Sequence, residues 1–161
     1  MRRILIGALA SAFLGQAAIA ADLTPQDFVS KASESGVAEV QLGQLAARKG
    51  DAESVRAYGE RMVTDHTRAN TELEALAGKK NLKVTREPGA AHKRALQELG
   101  AKSGKDFDAA FAQQMQKDHA EAVALFTSAS NLQDGELSGF AKRTLPVLQE
   151  HNEKAKHLGA H

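Results

Sequence analysis

Met62-Val63-Thr64-Asp65-His66 and Met115-Gln116-Lys117-Asp118-His119 repeat one pattern, Met-x-x-Asp-His, in a chain with only 3 Met and 6 His. At the offset that carries His66 onto His119, Tyr58 falls on Phe111, Met62 on Met115, Asp65 on Asp118, Ala69 on Ala122 and Leu73 on Phe126. On a helix, Met and His four residues apart share a face, and the Asp before the His is turned away by about 100°. Each segment therefore sets an imidazole on an apolar stripe and a carboxylate at its edge. Neutral imidazole with carboxylate suits Zn, Fe, Mn or Cu, and thioether sulfur from Met62 and Met115 would tilt the choice towards Cu. The same residues also serve as a metal-free Asp–His hydrogen-bond network, with the methionines filling the core.

Two further polar residues interrupt apolar stripes. Glu39 lies between Gly36 and Gly43, and His151 between Leu148 and Ala155. Counted from the turn at Gly50, Glu39 and His66 differ in height by about 7 Å at ~1.5 Å per residue, within reach of two long side chains. Glu39, Asp65, His66, Asp118, His119 and His151 are therefore expected to converge near the middle of the helices. Buried ionisable groups need partners or a metal, because an unpaired buried charge is costly. No Glu stands three residues before any His, so the Glu-x-x-His pairs of di-iron bundles are missing. His157 and His161 are expected to be solvated at a fraying end, and His92 has no evident partner in the sequence.

Helical periodicity runs through the elements that must hold these residues. The first helix opens at Thr24-Pro25 with Asp27 completing a capping box, and Leu23 and Phe28 stand at staple positions. Gly50 is expected as its C′ residue, and Asp51 as the N-cap of the second helix. Helices are expected over 25–49, 52–79, 104–131 and 135–158, the last kinked by Pro146. Between the second and third long helices, Pro88-Gly89 and the pattern Ala91, Ala95, Leu96, Leu99 predict a long crossover with one short helix. The expected fold is all-α, a ferritin-like four-helix bundle with a long crossover between its second and third helices. An up-down-up-down bundle with a decorated loop is the competing topology.

Composition bounds the function classes. The chain has 161 residues and no Cys, which excludes disulfides, thiolate metal sites, covalently attached haem and a lipobox anchor. Arg2 and Arg3, the apolar Ile4–Leu14 and the Ala18-Ile19-Ala20 cleavage pattern predict a signal peptide over 1–20, with a mature domain over 21–161 in the periplasm or medium. Without Arg2 and Arg3, 19 Lys and Arg face 20 Asp and Glu. That balance gives no reason to expect nucleic acid or an anionic membrane surface as partner, and no later apolar run is long enough to span a membrane.

The stretches FVSKASESGVAEVQLGQLAARKG, VRAYGERMVTDHTRANTELEALA, FDAAFAQQMQKDHAEAVALF and FAKRTLPVLQEHNEKAKHL resemble, in order, the bacterial family named domain of unknown function 4142. Its members are often labelled outer-membrane proteins and are placed in the ferritin-like group. The paired Met-x-x-Asp-His and the late Leu-Pro-x-Leu-x-x-His carry the resemblance. It implies an exported helical bundle and brings no activity or ligand with it. A barrel would need alternating strands, which this chain lacks. Three functions stay open on the residues. One is a metal-binding module for storage, buffering or stress protection. Another is a metal-dependent redox enzyme acting on peroxide or superoxide. The third is a structural or interaction protein of the envelope with a metal-free polar layer. Non-covalent haem between Met and His is more remote.

Overall fold

The structure, a computed structural model, describes residues 23–158. The expected signal peptide, its cleavage before Ala21, and His161 lie outside the described residues. Among these residues the chain is all-helical, with α1 (Pro25–Lys49), α2 (Glu53–Lys79), α3 (Ala90–Gly100), α4 (Gly104–Ala129) and α5 (Gly135–Ala155) and no strand. α4 and α5 stop short of the expected 131 and 158. Their last residues close instead as three-residue turns, Asn131 N–H to Ser128 O at 3.1 Å and Leu158 N–H to Ala155 O at 3.4 Å, the usual tightening of a helix end. α5 continues as a helix through Pro146.

Local chemistry explains where α1 starts. The Thr24 hydroxyl accepts the Asp27 N–H at 3.1 Å and donates to the Asp27 carboxylate at 2.6 Å, while Leu23 packs against the cluster that holds Phe28. The α1–α2 turn differs from expectation. Gly50 has φ −54° rather than a left-handed conformation. It is small because a Cβ there would lie 2.9 Å from both Ala46 O and Val55 Cγ1. Asp51 does not cap α2; the N-cap is Ala52, which has no side chain to offer. The cap comes from α4, where the buried Asp108 carboxylate accepts the Asp51 N–H at 2.9 Å and the Ala52 N–H at 2.8 Å.

Two apolar clusters form the core. One gathers Phe28 and Ala32 of α1, Leu73 and Ala77 of α2, Phe126 of α4, and Leu137, Phe140 and Leu148 of α5. The other gathers Leu42 and Ala46, Val55, Tyr58 and Met62, Phe107, Phe111 and Met115, and Ala155, with Leu99 of α3. By this placement α1 and α5 run one way, and α2 and α4 the other. The long helices meet as α1 with α2, α4 with α5, α1 with α4 and α2 with α5. Residues 80–89 carry the chain back along α1. Gln26 holds the Lys83 backbone through two hydrogen bonds, at 2.9 and 3.0 Å, and the Ser33 hydroxyl accepts the Thr85 N–H at 2.8 Å.

α1 and α2 touch through their backbones. A Cβ on Gly43 would lie 2.8 Å from Gly59 O, and one on Gly59 would lie 2.6 Å from Gly43 O and 2.8 Å from Ala47 N. Backbone atoms cannot step aside as a side-chain tip can. Gly59→Ala should therefore separate the helices and destabilise the protein by about 1–3 kcal/mol despite the higher helix propensity of Ala. The measurement is the urea midpoint at constant m-value; an unchanged or raised midpoint would refute the close contact.

Candidate metal centre

One polar layer separates the two apolar clusters, and each long helix contributes to it at the boundary. On α1 Glu39 falls between Ala32 and Leu42; on α2 His66 falls between Met62 and Leu73. On α4 His119 falls between Met115 and Phe126, and on α5 His151 falls between Leu148 and Ala155. All four side chains are buried. The rings of His66, His119 and His151 form a triangle with centroid separations of 5.7, 5.5 and 5.3 Å. One ligand nitrogen from each lies within 4.8 Å of the other two.

Hydrogen bonds outside the triangle set two of the tautomers. His119 Nδ1 lies 2.9 Å from Met115 O, one turn back on α4. A carbonyl only accepts, so this nitrogen carries the proton and Nε2 holds the lone pair. His151 Nε2 lies 3.0 Å from Asp65 Oδ2, so its proton points at the carboxylate and Nδ1 is the free nitrogen. Asp65 is itself anchored. It accepts from Arg61 Nε at 3.2 Å and from Arg68 at 2.8 Å, and Arg61 forms a two-pronged pair with Glu150 of α5 at 2.9 and 2.6 Å. Burial raises the Asp65 pKa, but hydrogen bonds from His151 and Arg61 outweigh it and hold the carboxylate below its ordinary range. His66 Nε2, His119 Nε2, His151 Nδ1 and Glu39 Oε2 are buried with no hydrogen-bond partner.

Burial keeps the three imidazoles neutral. It pushes His66 well below the usual imidazole range, with His119 and His151 adding repulsion. It lowers His119 to about 4 against a weaker upward pull from Met115 O. His151 is lowered by burial in spite of Asp65. Glu39 moves the other way, raised by burial and then by the charge on Asp118. The layer is therefore a set of neutral lone-pair donors beside an acid that favours its protonated form.

The remaining candidates are placed as follows. Asp65 supports His151 from outside the triangle. Asp118 does not mirror it. Its buried carboxylate accepts from Gln114 at 2.9 and 2.7 Å and stands 3.5 Å from His92 Nε2 of α3. His92, without an evident partner in the sequence, thus pairs with Asp118, because the crossover lays α3 along that edge of α4. Glu39 is not in the compact histidine group. Met62 and Met115 are fully buried among Tyr58, Phe107 and Phe111, in the apolar cluster next to the layer. His157 is exposed. Tyr58 has a part that the sequence did not suggest. Its ring lies 5.9 Å from His151 and 6.4 Å from His119, and its hydroxyl donates to His151 O at 3.2 Å. Burial first, and then the charge on Glu39, hold that phenol far above its ordinary pKa.

Fold and site together define an all-helical domain with a buried tri-histidine group. The chain belongs to the family described as a domain of unknown function, DUF4142, which matches residues 9–158. No curated protein matches it.

The protonation states carry a pH dependence. The histidines are neutral in the fold and titrate near ~6.5 when unfolded, so the unfolded chain binds more protons as pH falls. Their contribution to stability is full above ~6.5 and is lost towards the folded value, about 4 for His119. Glu39 has the opposite sign, contributing below its unfolded pKa and losing that contribution as pH rises through its raised folded value. The metal-free protein should lose stability as pH falls from ~6.5 to ~4, by up to about 1.4 kcal/mol per pH unit per histidine. His119→Gln should flatten that slope. Urea titrations across the range check this; equal slopes in both proteins would contradict the neutral assignment.

Proposed function

We propose that this protein is an exported metal-binding protein whose site is the nitrogen triangle of His66, His119 and His151. One observation carries the reading: His66, His119 and His151 bring one ring nitrogen each within 4.8 Å of one another, and each of these rings has a buried nitrogen with no hydrogen-bond partner. An unsatisfied buried polar atom costs about 1–3 kcal/mol, so three in one place call for a shared partner. The Asp65–His151 bond is what a metal-free polar layer would supply, but it leaves His66 Nε2, His119 Nε2 and His151 Nδ1 without partners. The hydrogen bonds from His119 to Met115 O and from His151 to Asp65 are the outer-shell contacts that orient imidazole ligands and strengthen their donation. Neutral nitrogen donors favour Zn, Cu or Fe over hard oxygen-seeking ions, and three protein ligands leave a coordination position open. The ionised Asp65 and the buried Glu39 are the nearby carboxyl groups able to offset a dication's charge.

The directions of α1, α2, α4 and α5, and the crossover lying along α1, support a four-helix bundle of ferritin-like connectivity. Export to the periplasm rests on the Arg2-Arg3, Ile4–Leu14 and Ala18-Ile19-Ala20 pattern. No helix among the described residues is long and apolar enough to cross a membrane. Storage, buffering or protection against metal stress is the role that fits a closed site in an exported helical protein.

Tag-free, metal-stripped protein should gain about 4 kcal/mol of stability from Zn(II) or Cu(II) at free ion near ~1,000 times Kd. His66→Ala, His119→Ala and His151→Ala should each abolish most of that gain, and a double variant should lose little more, because the residues share one partner. Thermal unfolding with and without ion is the measurement. No stabilisation of the unaltered protein by Zn(II), Cu(II), Co(II), Fe(II) or Mn(II) would sink the reading. Export is checked separately by the intact mass of protein recovered from a bacterial periplasm, which should begin at Ala21.

A further inference from the structure

The histidine triangle is enclosed, so an ion needs a way in. Two surface cavities lie near it. A cavity of about 420 Å³ is lined by Ala57, Tyr58, Arg61, Lys154 and His157. Its lining holds two fixed cations, Arg61 and Lys154, both paired to Glu150 at 2.6 and 3.1 Å, and no carboxylate of its own, and Tyr58, whose ring packs against His119 and His151, lies on its wall. The second cavity, about 310 Å³, lies between α1, α3 and α4, and its charged lining is Glu34, Asp118 and Glu121 with Lys31 and the imidazole of His92. Lys117 also reaches this rim, at 3.0 Å from Glu121 and 3.8 Å from Asp118, so carboxylates still exceed fixed cations there.

A smaller cavity of about 20 Å³, enough for about one water, adjoins this one. It reaches from Ser35 and Gly36 of α1 to His66 of α2. Ser35 and Ala122 line both spaces. The residues common to the two are thus small, and the buried His66, with its unpartnered Nε2, lines the smaller cavity.

We infer that the cavity between α1, α3 and α4 is a loading vestibule for a divalent cation, which passes the Ser35–Ala122 constriction to reach His66. Glu34, Asp118 and Glu121 outnumber Lys31 and Lys117 there, and this excess of carboxylate raises the local cation concentration at its mouth. His92 beside Asp118 offers an imidazole and a carboxylate on the way in.

This inference rests on the metal-binding reading, and Co(II) tests the two apart. Its visible absorption on entering a nitrogen site gives both the end point and the association rate in a rapid-mixing experiment. If no absorption develops, or if it survives in His119→Ala, the histidine site fails and the vestibule fails with it. If the site binds, Ala122→Leu should slow association about tenfold or more while leaving Kd nearly unchanged, because a blocked path slows arrival and departure alike. Glu34→Gln with Glu121→Gln, a surface change that spares the core, should slow association several-fold at low salt and converge with the unaltered rate at high salt. Ala57→Leu, in the cavity beside Tyr58, should leave the rate unchanged. Normal Co(II) binding with an unaltered rate in the Glu34/Glu121 variant, or in a folded Ala122→Leu, would overturn the vestibule. So would slowing by Ala57→Leu.

Discussion

Three imidazole nitrogens without hydrogen-bond partners, buried between two apolar clusters, set the terms for the rest of the molecule. The layer lies between four packed helices, away from the surface. The fold must therefore make up the deficit elsewhere. It does so with dry aromatic packing at both ends, where Phe28, Phe126 and Phe140 lie within 6.3 Å of one another at one end, and Phe107 and Phe111 stack at 5.9 Å at the other. The backbone contact of Gly43 and Gly59 brings α1 and α2 together just beyond the layer. Such a layer is hard to explain as a packing device. Apolar residues of similar volume commonly stabilise a core more than buried polar groups do.

Orientation is supplied from outside the triangle. Met115 O fixes one ring and Asp65 another, and Asp65 is tied through Arg61 to Glu150 on α5, the helix that carries His151. Each restraint spans one helical turn or one helix–helix seam, so its geometry follows from the packing of long, regular helices. Glu39 completes the layer from α1 without joining the compact group. Its raised pKa places a proton where a nearby cation would favour a charge.

The helices and the meeting of the histidines were legible in the residues for physical reasons. Thr24-Pro25 and the small residues around Gly50 punctuate the chain. A helix rises by a fixed step, so distances along it measured from a turn become heights in the fold. Edge residues were less legible. Asp65 and Asp118 stand at equivalent places in the repeat, yet one meets His151 and the other His92. A periodic pattern shows which way a side chain leans and not which neighbour waits there. The placement of α3 beside α4 is a product of the crossover. Asp108 escaped notice for a similar reason. An acid in the second turn of a helix is ordinary, and its service to the α1–α2 turn depends on contact between segments distant in sequence. The methionines were readable as ligands or as core, and the apolar cluster around them favours core.

The distribution of the triangle over the chain has a consequence for assembly. His66 belongs to the α1–α2 hairpin, and His119 and His151 to the α4–α5 hairpin. Each hairpin is a local pairing that can form early, because the loop it closes is short. Their docking comes later, across the long connection of residues 80–103. An ion held by all three nitrogens would span the seam between the halves, as a rivet does, and would leave each half internally as it was. Its grip would resist the parting of the hairpins more than the fraying of any helix. Slow exchange of amides along that seam, against little change at the helix tips, is the pattern such a rivet imprints on the motions of the chain.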